Sequence, residues 1–184
     1  MKNIFQFASA LLFCGAFTAC NAQTKPAVTE KKQAMNSDHQ GNPYYSRTDT
    51  AHLNVSNAEW KKILPTEVYK VGREQATETA FTGKYWKTDV KGMYYCAICG
   101  NPLFRSTSKF ASSCGWPSFF ESLDAKSVRY EADKSYGMER TEVVCNRCDS
   151  HLGHVFDDGP KPTGKRFCMN SAVLDFVPDD PNAQ

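Results

Sequence analysis

Neither sign of charge dominates this chain, since 22 Lys and Arg stand against 20 Asp and Glu for a formal net charge of +2. That balance excludes a surface built to follow phosphates or lie on anionic lipid, so nucleic acid is not an expected partner. A membrane-spanning run is also missing: the uncharged apolar stretch from Ile4 to Phe17 is shorter than the roughly 20 residues that cross a bilayer. No supersecondary unit repeats, and no low-complexity tract follows the first fifty residues. What is present, 184 residues with 41% hydrophobic content, suffices for one domain with a real core plus appendages.

The appendages come first. Lys2 followed by the apolar run has the profile of an export signal. Phe17-Thr18-Ala19-Cys20 resembles a bacterial lipobox, in which a cysteine after small residues is acylated and becomes the new N-terminus. Residues 1–20 are therefore expected to be a lipoprotein-type signal, with Cys20 carrying the lipid anchor and the protein exported to face the periplasm or cell exterior. From Asn21 to about Thr50 the chain is rich in Lys, Gln, Thr, Asn, Ser and Asp, too poor in aliphatics to fold alone. The expectation is a flexible tether over 21–52 and a folded domain over 53–180.

Within that domain, Ser56-Asn57-Ala58-Glu59 has capping-box spacing, and Trp60, Ile63 and Leu64 follow on one helical face. Pro65 ends this helix, and a second runs from Thr66 to about Gln75. Beyond Gly92 the pattern becomes short and aromatic or β-branched: Met93–Tyr95, Val128–Tyr130, Met138–Val144, Arg166–Leu174 and Asp175–Val177 read as strands. The fold class is mainly β (α+β), antiparallel, with short helices at the N-terminal end.

Eight cysteines are present, and Cys14 and Cys20 belong to the signal region. Four of the other six form two C-x-x-C pairs, Cys96/Cys99 and Cys145/Cys148, each just after a strand. Two such knuckles far apart in sequence are the usual source of a closed tetrahedral four-thiolate zinc site, here structural and not catalytic. A thioredoxin-like redox pair needs a βαβ context that is missing, and disulfides are the alternative for an exported chain. His151 and His154 follow Cys148 too closely to wrap one metal with that knuckle, which leaves them spare.

Cys114 and Cys168 remain. On a strand Arg166, Cys168 and Asn170 share one face, and a guanidinium beside a thiol favours the thiolate. Asn170 can bond a polar substrate group. Taken alone, that strand reads more readily as carrying an inert half-buried thiol.

Three stretches taken together change this. Ser113-Cys114-Gly115-Trp116-Pro117-Ser118-Phe119, His151-Leu152-Gly153-His154-Val155-Phe156 and Arg166-Phe167-Cys168-Met169-Asn170-Ser171-Ala172 occur in this order with both C-x-x-C pairs. Together they closely resemble the methionine-R-sulfoxide reductase family, the B-type methionine sulfoxide reductases, from about Leu53 to Pro178. The resemblance implies two small antiparallel sheets stapled by zinc. It implies a nucleophile at Cys168, a recycling thiol at Cys114, and a site completed by Trp116, His151, His154, Arg166 and Asn170. The implied substrates are oxidised proteins or peptides, and the implied reductant is a thioredoxin-like protein. One segment departs from the usual pattern: Leu64-Pro65-Thr66-Glu67 stands where such proteins often read Leu-Thr-Pro-Glu.

The main rival is a non-enzymatic zinc-ribbon lipoprotein that binds a partner. It leaves Cys114, Cys168 and the histidine pair without a role.

Overall fold

The computed structural model describes His39 and residues 41–182, so Cys14, Cys20 and the expected signal and most of the tether lie outside the described residues. Two helices open the domain. Helix α1 (Asn57–Ile63) is capped as its sequence predicts, the Ser56 hydroxyl accepting from the Glu59 backbone N–H at 3.2 Å. It buries Trp60, and Leu64 closes it. Helix α2 (Thr66–Glu74) starts directly after Pro65 and ends at Gln75 in the left-handed region.

The rest is β. One antiparallel sheet has the order β2 (Pro102–Arg105), β1 (Gly92–Cys96), β9 (Leu174–Pro178). The other runs β3 (Lys109–Phe110), β4 (Ser118–Phe119), β8 (Arg166–Met169), β7 (His151–Phe156), β6 (Arg140–Cys145), β5 (Val128–Asp133), again with antiparallel neighbours. Aromatic rings from both sheets form the core. Phe104 of β2 stacks on Phe119 of β4 at 4.4 Å, and Tyr94 of β1 meets the same ring edge-on at 5.0 Å. Such pairs add about 0.5–1.5 kcal/mol each beyond area burial.

Two strand expectations need correction. The run Arg166–Leu174 is a strand only to Met169. Past it, the N–H groups of Ser171 and Ala172 donate to the Glu78 carboxylate at 2.7 and 2.9 Å instead of to a neighbouring strand, and a 3-10 turn follows. The run Met138–Val144 starts at Arg140, because Met138 N–H closes a tight turn onto Ser135 O and Tyr136 takes φ 55°.

The expected tether, 21–52, also reaches too far. From Asn42 the chain is docked: the Asn42 side chain donates to Ile98 O at 2.8 Å, and Ser46 N–H donates to Cys99 O at 2.9 Å. Tyr45 and Arg47 donate to the buried Asp175 carboxylate at 2.5 and 2.8 Å. Burial alone would raise the Asp175 pKa, but donors from His39, Tyr45 and Arg47 hold it well below the usual carboxylate range. Polar composition suggested a loose segment, yet its side chains satisfy a buried acid 128 to 136 positions away. The buried Arg147 guanidinium ties the strap to the second knuckle, bonding Tyr44 O and Asp49 at 2.9 Å each.

Candidate active site

The four knuckle cysteines meet. Cys96, Cys99, Cys145 and Cys148 are all buried, with Sγ atoms within 4.8 Å of one another. Cys96 faces Cys148 at 3.8 Å and Cys99 faces Cys145 at 3.6 Å, so contacts run between knuckles. A zinc with four bonds of about 2.3 Å requires sulfur separations of about 3.8 Å, the tetrahedral edge. The donor set therefore fits structural zinc, with every position taken by protein. Neither His151 nor His154 joins it.

The other two cysteines meet elsewhere. Strand β8 lies between β4 and β7, placing Ser118 opposite Cys168 on one side and His154 opposite it on the other. Directly opposed residues share a face with Cβ atoms about 4.5–5.5 Å apart. Gly153 permits the close approach of β7: a Cβ there would stand 2.1 Å from Cys168 O. Cys114, on the turn before β4, brings its Sγ to 3.5 Å from Cys168 Sγ and 3.4 Å from Ser118 Oγ.

A pocket of about 120 Å³ opens at Cys168, lined by Trp116, His154, Phe156, Arg140 and Asn170 among others. It is well below the roughly 300–1,000 Å³ of a cofactor-sized site and suits a single side chain. Trp116 is fixed by its indole N–H donating to Glu78 O at 3.2 Å. The Asn170 amide is already committed: its oxygen accepts from Glu78 N–H at 3.1 Å and its nitrogen donates to Leu152 O at 3.1 Å. Asn170 thus braces the pocket wall. Arg166 is fixed by two 2.8 Å bonds to Asp158 and lies 4.4 Å over the Phe156 ring.

The two histidines differ. His154 lines the pocket, and its Nε2 bonds Asp133 at 2.7 Å, with Arg140 holding the same carboxylate at 2.6 Å. Burial lowers the His154 pKa while Asp133 opposes the shift, so the ring is neutral at rest near pH 7. His151 is 3% exposed and lines a separate, neighbouring cavity. Its Nδ1 bonds Glu142 at 2.6 Å, and its buried Nε2 has no protein partner.

Glu78, Asp133, Arg140 and Glu142, which hold these groups, carry no signal in the sequence. Each is an ordinary charged residue that only the tertiary fold brings to the site.

Taken together, burial and neighbouring donors act on the two thiols in opposite directions. Burial pushes Cys168 up to about 12, helped by the neighbouring Cys114, and Arg166 pulls down without prevailing. Burial also raises Cys114, but Ser112, Ser118, the Trp116 backbone and Cys168 more than offset it and bring the thiol to about 7. Each sulfur is among the causes of the other's shift, across their 3.5 Å contact.

The SelR domain profile matches residues 64–178. The peptide methionine sulfoxide reductase MsrB of Thiobacillus denitrificans is 56% identical over 125 residues, covering 68% of this chain and 95% of that protein. The protein of the same name from Acinetobacter baylyi is 50% identical over 130 residues, covering 71% and 94%. A third, from Herminiimonas arsenicoxydans, is 54% identical over 121 residues, covering 66% and 88%. With its two knuckles, its tryptophan-walled pocket and its thiol pair, the chain belongs to the SelR family, that of the B-type methionine sulfoxide reductases.

Proposed function

We infer that the protein is a peptide-methionine (R)-S-oxide reductase, and the observation that carries this is the Cys114–Cys168 contact at the edge of the side-chain pocket. Methionine sulfoxide has an electrophilic sulfur and an oxygen that leaves only when protonated. Cys168, its thiol held protonated by burial, needs a base, and neutral His154 opposite it in register can take that proton. The Cys168 sulfur then bonds the substrate sulfur. His154, or a water it holds, returns the proton to the oxygen, the S–O bond breaks, and the departing hydroxide leaves a sulfonium joined to Cys168. That hydroxide attacks the Cys168 sulfur, and the bond between the two sulfurs breaks with its electron pair on the substrate sulfur. Methionine and a Cys168 sulfenic acid result.

Cys114, anionic near pH 7, attacks that sulfenic sulfur across the short gap and expels hydroxide, which leaves as water. A disulfide remains, and a thioredoxin-like dithiol reopens it. Trp116 supplies an apolar wall for the S-methyl group, a contact of about 0.3–1.5 kcal/mol. Arg166 favours negative charge on Cys168 during attack. His151, bound to Glu142 beside the pocket, orients the neighbouring imidazole, the two rings 5.4 Å apart. Zinc held by Cys96, Cys99, Cys145 and Cys148 would lock the two knuckles together and take no part in the reaction.

Separate R and S sulfoxide peptides, assayed with dithiothreitol, test the reading. Methionine should form from the R epimer alone, and turnover of S with none of R would overturn it.

We also infer that the reductase works outside the cytoplasm. The Lys2 and apolar-run profile and Phe17-Thr18-Ala19-Cys20 support export and acylation at Cys20, with the reductase domain facing the periplasm or cell exterior. Mass spectrometry of the mature N-terminus tests this. An unmodified chain beginning before Cys20 would remove the anchor.

A further inference from the structure

Each turnover leaves the Cys114–Cys168 disulfide, and two electrons from a second protein must reopen it. The two cysteines differ in their surroundings. Cys168 lines the pocket that takes the sulfoxide, whereas Cys114 does not line it and lies nearer the surface. A protein dithiol arriving from outside therefore meets Cys114, and whatever surrounds Cys114 is its landing surface.

That surround is unusual. The turn carrying Cys114 is pinned to residues 80–81: Phe81 N–H donates to Gly115 O at 2.8 Å, and a Cβ on Gly115 (φ +89°) would meet Ala80 and Phe81 at 2.9 Å. Phe81 itself has φ 68°, a conformation that bulky side chains avoid, and the residue is 53% exposed. Strain and exposed aromatic surface together are unfavourable in the free protein, a combination found where a residue meets a ligand. The ring stands edge-on to Trp86 at 5.3 Å. From Trp86 a groove of about 330 Å³ runs to Ser112, whose hydroxyl accepts from Cys114 N–H at 3.3 Å. Lys87 and Lys109 line the groove against a single acid, Asp89, and Lys87 Nζ lies 4.5 Å over the Trp86 ring.

We propose that the Phe81–Trp86 aromatic lip and its basic groove are the docking surface for the protein reductant. The partner has a reactive cysteine pair in an apolar surface with an acidic group at its rim to face Lys87. The proposal rests on the reductase reading. The partner's thiolate bonds Cys114 Sγ, the Cys114–Cys168 bond breaks, and the electron pair leaves on Cys168. With Cys114 capped, its charge no longer opposes a Cys168 thiolate, and Arg166 favours one. The partner's second thiol then attacks its own first sulfur, releasing Cys114 and leaving the partner oxidised. Its two thiol protons end on Cys114 and Cys168.

The test compares two reductants on the full protein with the R sulfoxide peptide. Phe81→Ala should raise KM for thioredoxin about tenfold, while dithiothreitol-driven kcat and peptide KM stay within about twofold. Lys87→Glu, an exposed change that leaves the fold intact, should raise the same KM about threefold, with the effect fading at high salt. Unchanged thioredoxin KM in both variants overturns the surface. So does a peptide KM that rises equally with dithiothreitol, which would make the lip part of the substrate site. If the unsubstituted protein showed no dithiothreitol-driven turnover, the reductase reading itself would fall, and this surface with it.

Discussion

Six cysteines of the domain sit at nearly the same sulfur separations, 3.6 and 3.8 Å across the knuckles and 3.5 Å between Cys114 and Cys168, yet the two groups are built for opposite fates. The knuckle sulfurs are four, enclosed in the core against residues such as Ile98. The other two are partly buried, beside hydroxyls, a guanidinium and a pocket. Distance alone does not distinguish a metal site from a redox pair. The number of converging thiols and their access to water do.

The contrast is broken most severely at the knuckles. Cys145→Ser should remove the metal and unfold the domain at 37 °C, because structural zinc supplies about 10 kcal/mol or more against a total stability of about 5–15 kcal/mol. Far-UV circular dichroism with zinc analysis checks it, and a folded, zinc-free variant would mean that the core holds alone.

At the reactive pair the same kind of change should leave the fold untouched. Cys168→Ser should keep its zinc and melting temperature but lose reduction of the R sulfoxide by at least about a thousandfold. Cys114→Ser should retain one equivalent of methionine per chain while thioredoxin-driven cycling stops. Sustained cycling would assign resolution to another thiol.

The smallest effect concerns the two members of the pair. A thiol lowered to about 7 is anionic above that pH, so alkylation of Cys114 should rise from pH 6 and level off by about pH 8. Cys168, raised to about 12, should stay nearly unlabelled throughout. Peptide mapping after brief iodoacetamide treatment reads both, and earlier labelling of Cys168 would reverse the assignment of charge.

Much of this was legible beforehand where the interactions are short-range. Ser56 and Glu59 announce a cap three residues apart, and each C-x-x-C fits its own turn. The strand read through to Leu174 was not, because the alternative partner for Ser171 and Ala172 is Glu78, more than 90 residues upstream. The docked strap was hidden for the same reason, its polar side chains looking solvent-bound until Asp175 is seen behind them.

The sequence by itself determined the residue types, their local spacing and hence the family: six thiols of which four come in knuckles, two spaced histidines, a tryptophan between a glycine and a proline. Only the tertiary structure decided that Cys114 and Cys168, 54 positions apart, would touch. It also decided that His154 and not His151 would line the pocket, and that burial and neighbouring donors would shift the two thiols in opposite directions. The physical reason is that desolvation and electric field are sums over everything packed around a group, and most of those neighbours are remote along the chain.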